Sequence, residues 1–161
     1  MEKKVIILGS SRSGGNTGSI VANISKKHQI DVIDLNNYKI SYYDYESKNL
    51  DDDFLPLIKL ILEKYDTLIF ATPVYWYNMS GIMKVFFDRF SDLIRIEKET
   101  GRKLKGKNMF VISNSHSDEI DDSFYIPFKK SADYLGMEFQ GNLHFNANNI
   151  HEINTIELTH I

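Results

Sequence analysis

Three short runs constrain this chain more than any other feature: Val5-Ile6-Ile7-Leu8, Thr67-Leu68-Ile69-Phe70-Ala71 and Met109-Phe110-Val111-Ile112. They are apolar at nearly every position rather than at alternate ones. A strand of that kind must be covered on both faces, which points to a parallel sheet between helical layers. The stretches between the runs carry the helical stripe such layers need. From Thr17 onward, Ile20, Val21 and Ile24 share a face, and Lys26 and Lys27 complement the dipole of the last turn. Asp51, Asp52 and Asp53 read as a helix start, Pro56 is tolerated in a first turn, and Phe54, Leu57, Ile58, Ile61, Leu62 and Tyr65 follow the stripe. Ser80 is expected to cap one further helix with Ile82, Phe86, Phe90, Leu93 and Ile94 inward. Another is expected over 123–135, ending at a left-handed Gly136.

Ile30 to Leu35 and Glu138 to Phe145 supply two further strands. Strand and helix therefore alternate, with right-handed crossovers expected. The length of 161 residues and the absence of a linker imply one domain over 1–161. Ile150, Ile153 and Ile156 are spaced for a short closing helix. The chain has no cysteine, which removes disulfides, thiolate catalysis and cysteine-held metals. A net charge of -3 gives no global field for nucleic acid. No apolar stretch is long enough to span a bilayer, so a cytoplasmic location and no membrane partner are expected. His28, His144, His151 and His160 show no metal spacing with carboxylates and read as structural or surface residues.

Sheets of this kind bind ligands beyond the carboxyl ends of their strands. Two loops there carry unusual residues. The first, Gly9-Ser10-Ser11-Arg12-Ser13-Gly14-Gly15-Asn16-Thr17, joins a buried strand to a helix start. A helix N-terminus offers free amides and a positive dipole end, and Arg12 adds a planar cation, so a phosphate suits it. It lacks the lysine of a Walker loop and the glycine spacing of a dinucleotide fingerprint. The second loop, Thr72-Pro73-Val74-Tyr75-Trp76-Tyr77-Asn78-Met79-Ser80-Gly81, holds three adjacent aromatics. Large rings near a surface are costly unless they meet a ligand or partner. A flat aromatic ligand, inward packing or a dimer contact are all compatible with it.

Together these stretches resemble the flavodoxin-like NADPH-dependent FMN reductase family. The resemblance is carried by Gly9-Ser10-Ser11-Arg12 with Asn16-Thr17, and by Pro73-Val74-Tyr75-Trp76 with Ser80-Gly81, Lys84 and Asp88-Arg89. Leu104-Lys105-Gly106-Lys107 and Tyr134-Leu135-Gly136-Met137 match as well. It implies an α/β flavodoxin-like three-layer sandwich with a five-stranded parallel sheet in the order 2-1-3-4-5. It further implies FMN as cofactor and NAD(P)H as electron donor. A small-molecule acceptor (a quinone, a nitro or azo compound, or free flavin) and a homodimer are also implied.

By the same resemblance Ser10, Arg12, Asn16 and Thr17 hold the phosphate. Pro73, Val74, Tyr75, Trp76, Tyr77, Asn78, Met79 and Ser80 line the ring. Ser113-Asn114-Ser115-His116, a loop after the fourth strand, closes a third side, with Asn114 and His116 as its contacts. Gly18, also placed at the cofactor, stands where another hydroxyl is common. Hydride chemistry would belong to the flavin, with a ping-pong turnover and backbone amides near Asn78 and Met79 stabilising charge on the reduced ring. No side chain is assigned as acid or base. Tyr38, Tyr42, Tyr43 and Tyr45 are expected to cover the site or a dimer surface. The basic stretch 102–107 reads as a solvated turn rather than a 2′-phosphate site. The competing reading is a flavodoxin-type electron carrier with no small-molecule substrate of its own.

Overall fold

The computed structural model describes residues 2–150. Lys4–Leu8 (β1), Asp31–Asp34 (β2), Thr67–Pro73 (β3), Asn108–Ser115 (β4) and Glu138–Asn146 (β5) form one sheet in the order β2-β1-β3-β4-β5. Every pairing is parallel. All carboxyl ends therefore share one edge, and the order reverses between β1 and β3. This is the flavodoxin-like topology.

Alternate residues of the central strands feed two cores, as the pleat requires. Ile6, Leu8, Ile69, Ala71, Phe110 and Ile112 meet Ile20, Val21 and Ile24 of Asn16–His28 (α1). Ile150 packs against this face, while Ile153 and Ile156 of the expected closing helix lie outside the described residues. Val5, Ile7, Leu68, Phe70, Met109 and Val111 meet the larger cluster on the other face. That cluster draws on Phe54–Lys64 (α2), Gly81–Asp88 (α3), Phe90–Arg95 (α4) and Ile126–Leu135 (α6). Full burial of a residue such as Phe54, Ile58 or Ile61 stabilises the fold by roughly 1.5–3 kcal/mol.

The helix expected from Ser80 to Ile94 is two helices. It breaks at Arg89, whose side chain is 0% exposed. Its guanidinium bonds Asp92 at 2.7 Å, Asp52, and the Ser41 carbonyl at 3.1 Å, and lies 4.8 Å from the Phe54 ring centre. Asp52 also accepts the Phe54 and Ser41 amides, and Asp53 accepts that of Lys39. The aspartate run thus anchors the segment before α2 as well as starting the helix. Lys98–Arg102 (α5) is a short helix with no apolar stripe to announce it.

The helix expected over 123–135 opens as a 3-10 turn over Asp122–Tyr125, and α6 begins at Ile126. Pro127 has no amide to bond the preceding turn, so it fits only at the start of the α-helix. Gly136 ends α6 at φ 71, the left-handed value expected. Its carbonyl accepts the Gly106 amide at 2.8 Å, so the two glycine turns of the family pattern meet. β3 and β4 are longer than their apolar runs. Pro73, Ser113, Asn114 and Ser115 therefore stand in strands rather than in loops.

Candidate cofactor site

At the carboxyl edge, the segments leaving β1, β3 and β4 close around a cavity of about 140 Å³. The first turn contributes Ser10, Arg12, Gly15, Asn16 and Thr17; the exit of β3 contributes Pro73, Val74 and Tyr75. Asn114, Ser115 and His116 form the β4 side, with Ala147 beyond β5. The two turns touch directly, Ser11 Oγ lying 2.9 Å from Tyr75 Oη.

The α1 end is built for an anion. The first bond into the helix is Ser19 N–H to Gly15 O at 2.9 Å, so the amides of Asn16, Thr17 and Gly18 lie ahead of the ladder. Gly15 gives no side-chain cap and the first turn holds no acidic residue. Orphan amides, dipole and the Arg12 guanidinium have one sign, and together they favour a phosphate. Gly18 serves this turn from beneath. A Cβ there would lie 1.8 Å from the Ser13 carbonyl, so glycine alone permits so close a return. This accounts for the missing hydroxyl.

The aromatic loop is a two-residue turn. Tyr75 N–H donates to Asn78 O at 2.9 Å and Asn78 N–H to Tyr75 O at 3.0 Å. Its central residues, Trp76 at φ 47 and Tyr77 at φ 64, are both left-handed. Asn-Gly is the usual choice there, and bulky residues at positive φ cost about 1–3 kcal/mol each. Trp76 is nonetheless 93% exposed and Tyr77 83% exposed. Strain retained in order to display two rings is a feature of ligand clamps. The two amides expected to face the ring have partners of their own, because Met79 N–H donates to Asn78 Oδ1 at 2.8 Å. The amides of Trp76 and Tyr77 lie outside that bonding pair.

Other expected contact residues have structural partners within the fold. Met79 is buried in the larger core. Ser80 Oγ donates to Gly9 O at 2.6 Å and accepts Met83 N–H at 3.1 Å, while its amide donates to Thr72 Oγ1 at 2.9 Å. It binds the start of α3 to the end of β1, and hence one turn to the other. Thr17 Oγ1 donates to Asn114 Oδ1 at 2.7 Å, fixing α1 against β4. His116 stands on the rim with Nδ1 3.1 Å from Asn148 Oδ1.

Sequence reasoning gave Ala147 no role and read His144 as a structural or surface residue, while Gly15 and Ser115 entered only as members of the loops that carry them. The His144 ring lies between Ser113 and Ser115, and burial holds it below the ordinary histidine value. It faces those serines only because of the β4–β5 register, which shifts between Met109 and Phe110, so periodicity gives no sign of it. Asp34 caps the turn after β2 by accepting Asn36 N–H at 2.9 Å. The tyrosine segment is held by Asp52, Asp53 and Arg95, and Tyr38 and Tyr42 border a separate groove of about 420 Å³ beside α3. The basic stretch 102–107 precedes β4, at the opposite edge of the sheet. Among the described residues no cluster could hold a metal, and no helix is long and apolar enough to cross a membrane.

Fold and site together define a flavodoxin-like protein in which the Arg12 turn at the start of α1 stands beside an aromatic turn. The model of the NADPH-dependent FMN reductase family matches residues 3–151, and the chain belongs to that family. It is accordingly an NAD(P)H-dependent oxidoreductase of the FMN class. The NAD(P)H-dependent FMN-containing oxidoreductase YwqN of Bacillus subtilis is 30% identical over 149 residues, 86% of this chain and 82% of that one. The Trp repressor binding protein of B. subtilis superposes with a TM-score of 0.72 at 24% identity, covering 94% and 96% of the two chains. An FMN-dependent NADH-azoreductase of Bacillus anthracis, solved with FMN, gives 0.66 at 16% identity over 95% and 92%.

Proposed function

We propose that the cavity holds the phosphate of FMN and that the Tyr75–Asn78 turn lies along its ring, for an enzyme passing electrons from NAD(P)H to a small acceptor. The observation that carries the reading is the cavity itself. Three segments far apart in the chain, around Arg12, Tyr75 and Asn114, line one space of about 140 Å³. Arg12, Ser10, Asn16 and the α1 amides would hold the phosphate. Tyr75, Trp76 and Tyr77 would line the ring, and Asn114 and His116 would close the third side.

FMN, when bound, supplies the hydride and electron chemistry. The chain binds and orients it, and leaves room for donor and acceptor in turn, which gives ping-pong kinetics. The amides of Trp76 and Tyr77, outside the Tyr75–Asn78 bonding pair, are the candidate donors where negative charge develops on the ring. The azoreductase name of one neighbour supports an azo acceptor here, and the NADPH-quinone reductase name of another supports a quinone. Family membership supports a homodimer as the working unit, which light scattering tests.

The decisive experiment is turnover. FMN-loaded protein is expected to oxidise NADPH steadily when a simple quinone is added, with parallel double-reciprocal lines. Loaded protein that oxidises no NADPH or NADH would instead establish an electron carrier fed by a partner reductase.

A further inference from the structure

We propose that His144 is a positioning residue that fixes the β4 wall of the cofactor cavity; this rests on the cofactor reading above. The parallel register sets His144 beside Ser113 and Asn146 beside Ser115. Residues two apart on a strand share a face, so Ser113 and Ser115 both present hydroxyls to the imidazole. Nδ1 lies 2.8 Å from Ser113 Oγ, and Nε2 lies 3.0 Å from Ser115 Oγ and 3.2 Å from the Ser117 carbonyl. Ser113 Oγ lies 2.8 Å from Tyr125 Oη, with both residues buried.

The chemistry of these partners sets the direction of the chain of bonds. A carbonyl can only accept, so Nε2 carries the ring proton toward Ser117, and Nδ1 accepts from the Ser113 hydroxyl. Ser113 in turn accepts from the Tyr125 hydroxyl. Ser117 N–H donates to Ser115 Oγ at 3.1 Å and closes the turn after β4. One ring thereby joins β4, β5, the 3-10 turn at Tyr125 and the segment leading to His116.

Asn114 lies between the two clamped serines and faces the other way, onto Thr17 at 2.7 Å. Fixing Ser113 and Ser115 therefore fixes Asn114 and the path of the chain into His116, both of which line the cavity. His144 itself does not line it. Its effect on the cofactor passes through these neighbours.

The test is FMN affinity at a temperature well below unfolding, read by quenching of flavin fluorescence. Wild type, His144→Leu, His144→Gln and Tyr125→Phe are compared, each with its thermal midpoint. His144→Leu is expected to weaken FMN about tenfold, and His144→Gln, whose amide can still donate to Ser117, to recover about half of that loss on a logarithmic scale. A structural role alone would lower the midpoint and leave affinity within about twofold, and that result overturns the proposal while the cofactor reading stands. Should His144→Leu not fold, Tyr125→Phe decides: about threefold weaker binding supports the proposal and unchanged binding overturns it. A wild-type protein that binds no FMN removes both readings.

Discussion

Arg12 is the one guanidinium among the residues lining the cavity, and the α1 amides beside it have the same sign. A charge-assisted bond to a phosphate contributes about 1.5–3 kcal/mol, so Arg12→Ala is expected to weaken FMN by roughly 10- to 100-fold. Riboflavin, which lacks the phosphate, should bind the variant and the wild type alike. Equal losses for both ligands would place Arg12 elsewhere. At Trp76 and Tyr77 the expected result has opposite signs in two measurements. Replacing the pair by Asn-Gly relieves two left-handed bulky residues and should raise stability by about 2–6 kcal/mol in urea unfolding. The same change removes two rings and should weaken FMN. A variant both less stable and tighter binding would contradict the clamp. The aromatic run was legible in the sequence, but its conformation was not. Nothing in Tyr-Trp-Tyr-Asn announces a two-residue turn that glycine would suit better.

The elements follow from the sequence wherever one physical rule dominates. Continuous apolar runs gave the central strands, Ser80 gave the start of α3, and Gly136 gave the end of α6. The reading departs where side chains from distant elements decide. The break at Arg89 needs Asp52, 37 residues earlier in the chain, and no helical stripe contains that information. β4 and β3 run on through polar residues because their neighbours supply ladder partners, which a search for apolar runs cannot detect. The Arg89 cluster makes its own prediction. Arg89→Met leaves the Asp52 and Asp92 carboxylates buried without their cation, and removing one partner of a buried pair costs about 3–5 kcal/mol. Urea unfolding should show that loss, with the segment before α2 released first in hydrogen exchange. A loss under about 1 kcal/mol would mean that the cluster is not a clamp.

The molecule as a whole should lose stability on acidification in two steps. Burial lowers the affinity of His144 for a proton in the fold, with the Ser117 carbonyl opposing more weakly. Its contribution is therefore complete above the ordinary value of 6.5 and declines as pH falls below it, because the unfolded chain takes up the proton first. Asp52 acts further down. Burial alone would raise its value, but bonds from Arg89, Ser41 N–H and Phe54 N–H together hold it below the ordinary 3.8. Its contribution is present above that value and is lost as pH falls through the lower, folded one. The urea midpoint should fall between pH 7 and 5, and that first step should vanish in His144→Gln. A midpoint that rises over this interval would contradict the assignment.

At this scale the sequence showed the architecture and the rim but not the machinery beneath. Gly18, Met79 and Ser80, expected at the cofactor, also hold the two turns in place. His144 looked incidental and lies at a junction of four segments. Such roles depend on register and packing rather than on residue type.

The chain has a single tryptophan, Trp76, displayed on the turn assigned to the ring. Its emission therefore reports on the site directly. Titration with FMN should quench Trp76 fluorescence to saturation at one flavin per chain, with the flavin emission quenched in parallel. Tryptophan emission indifferent to added FMN would contradict the claim that the phosphate turn and the aromatic turn form one cofactor site.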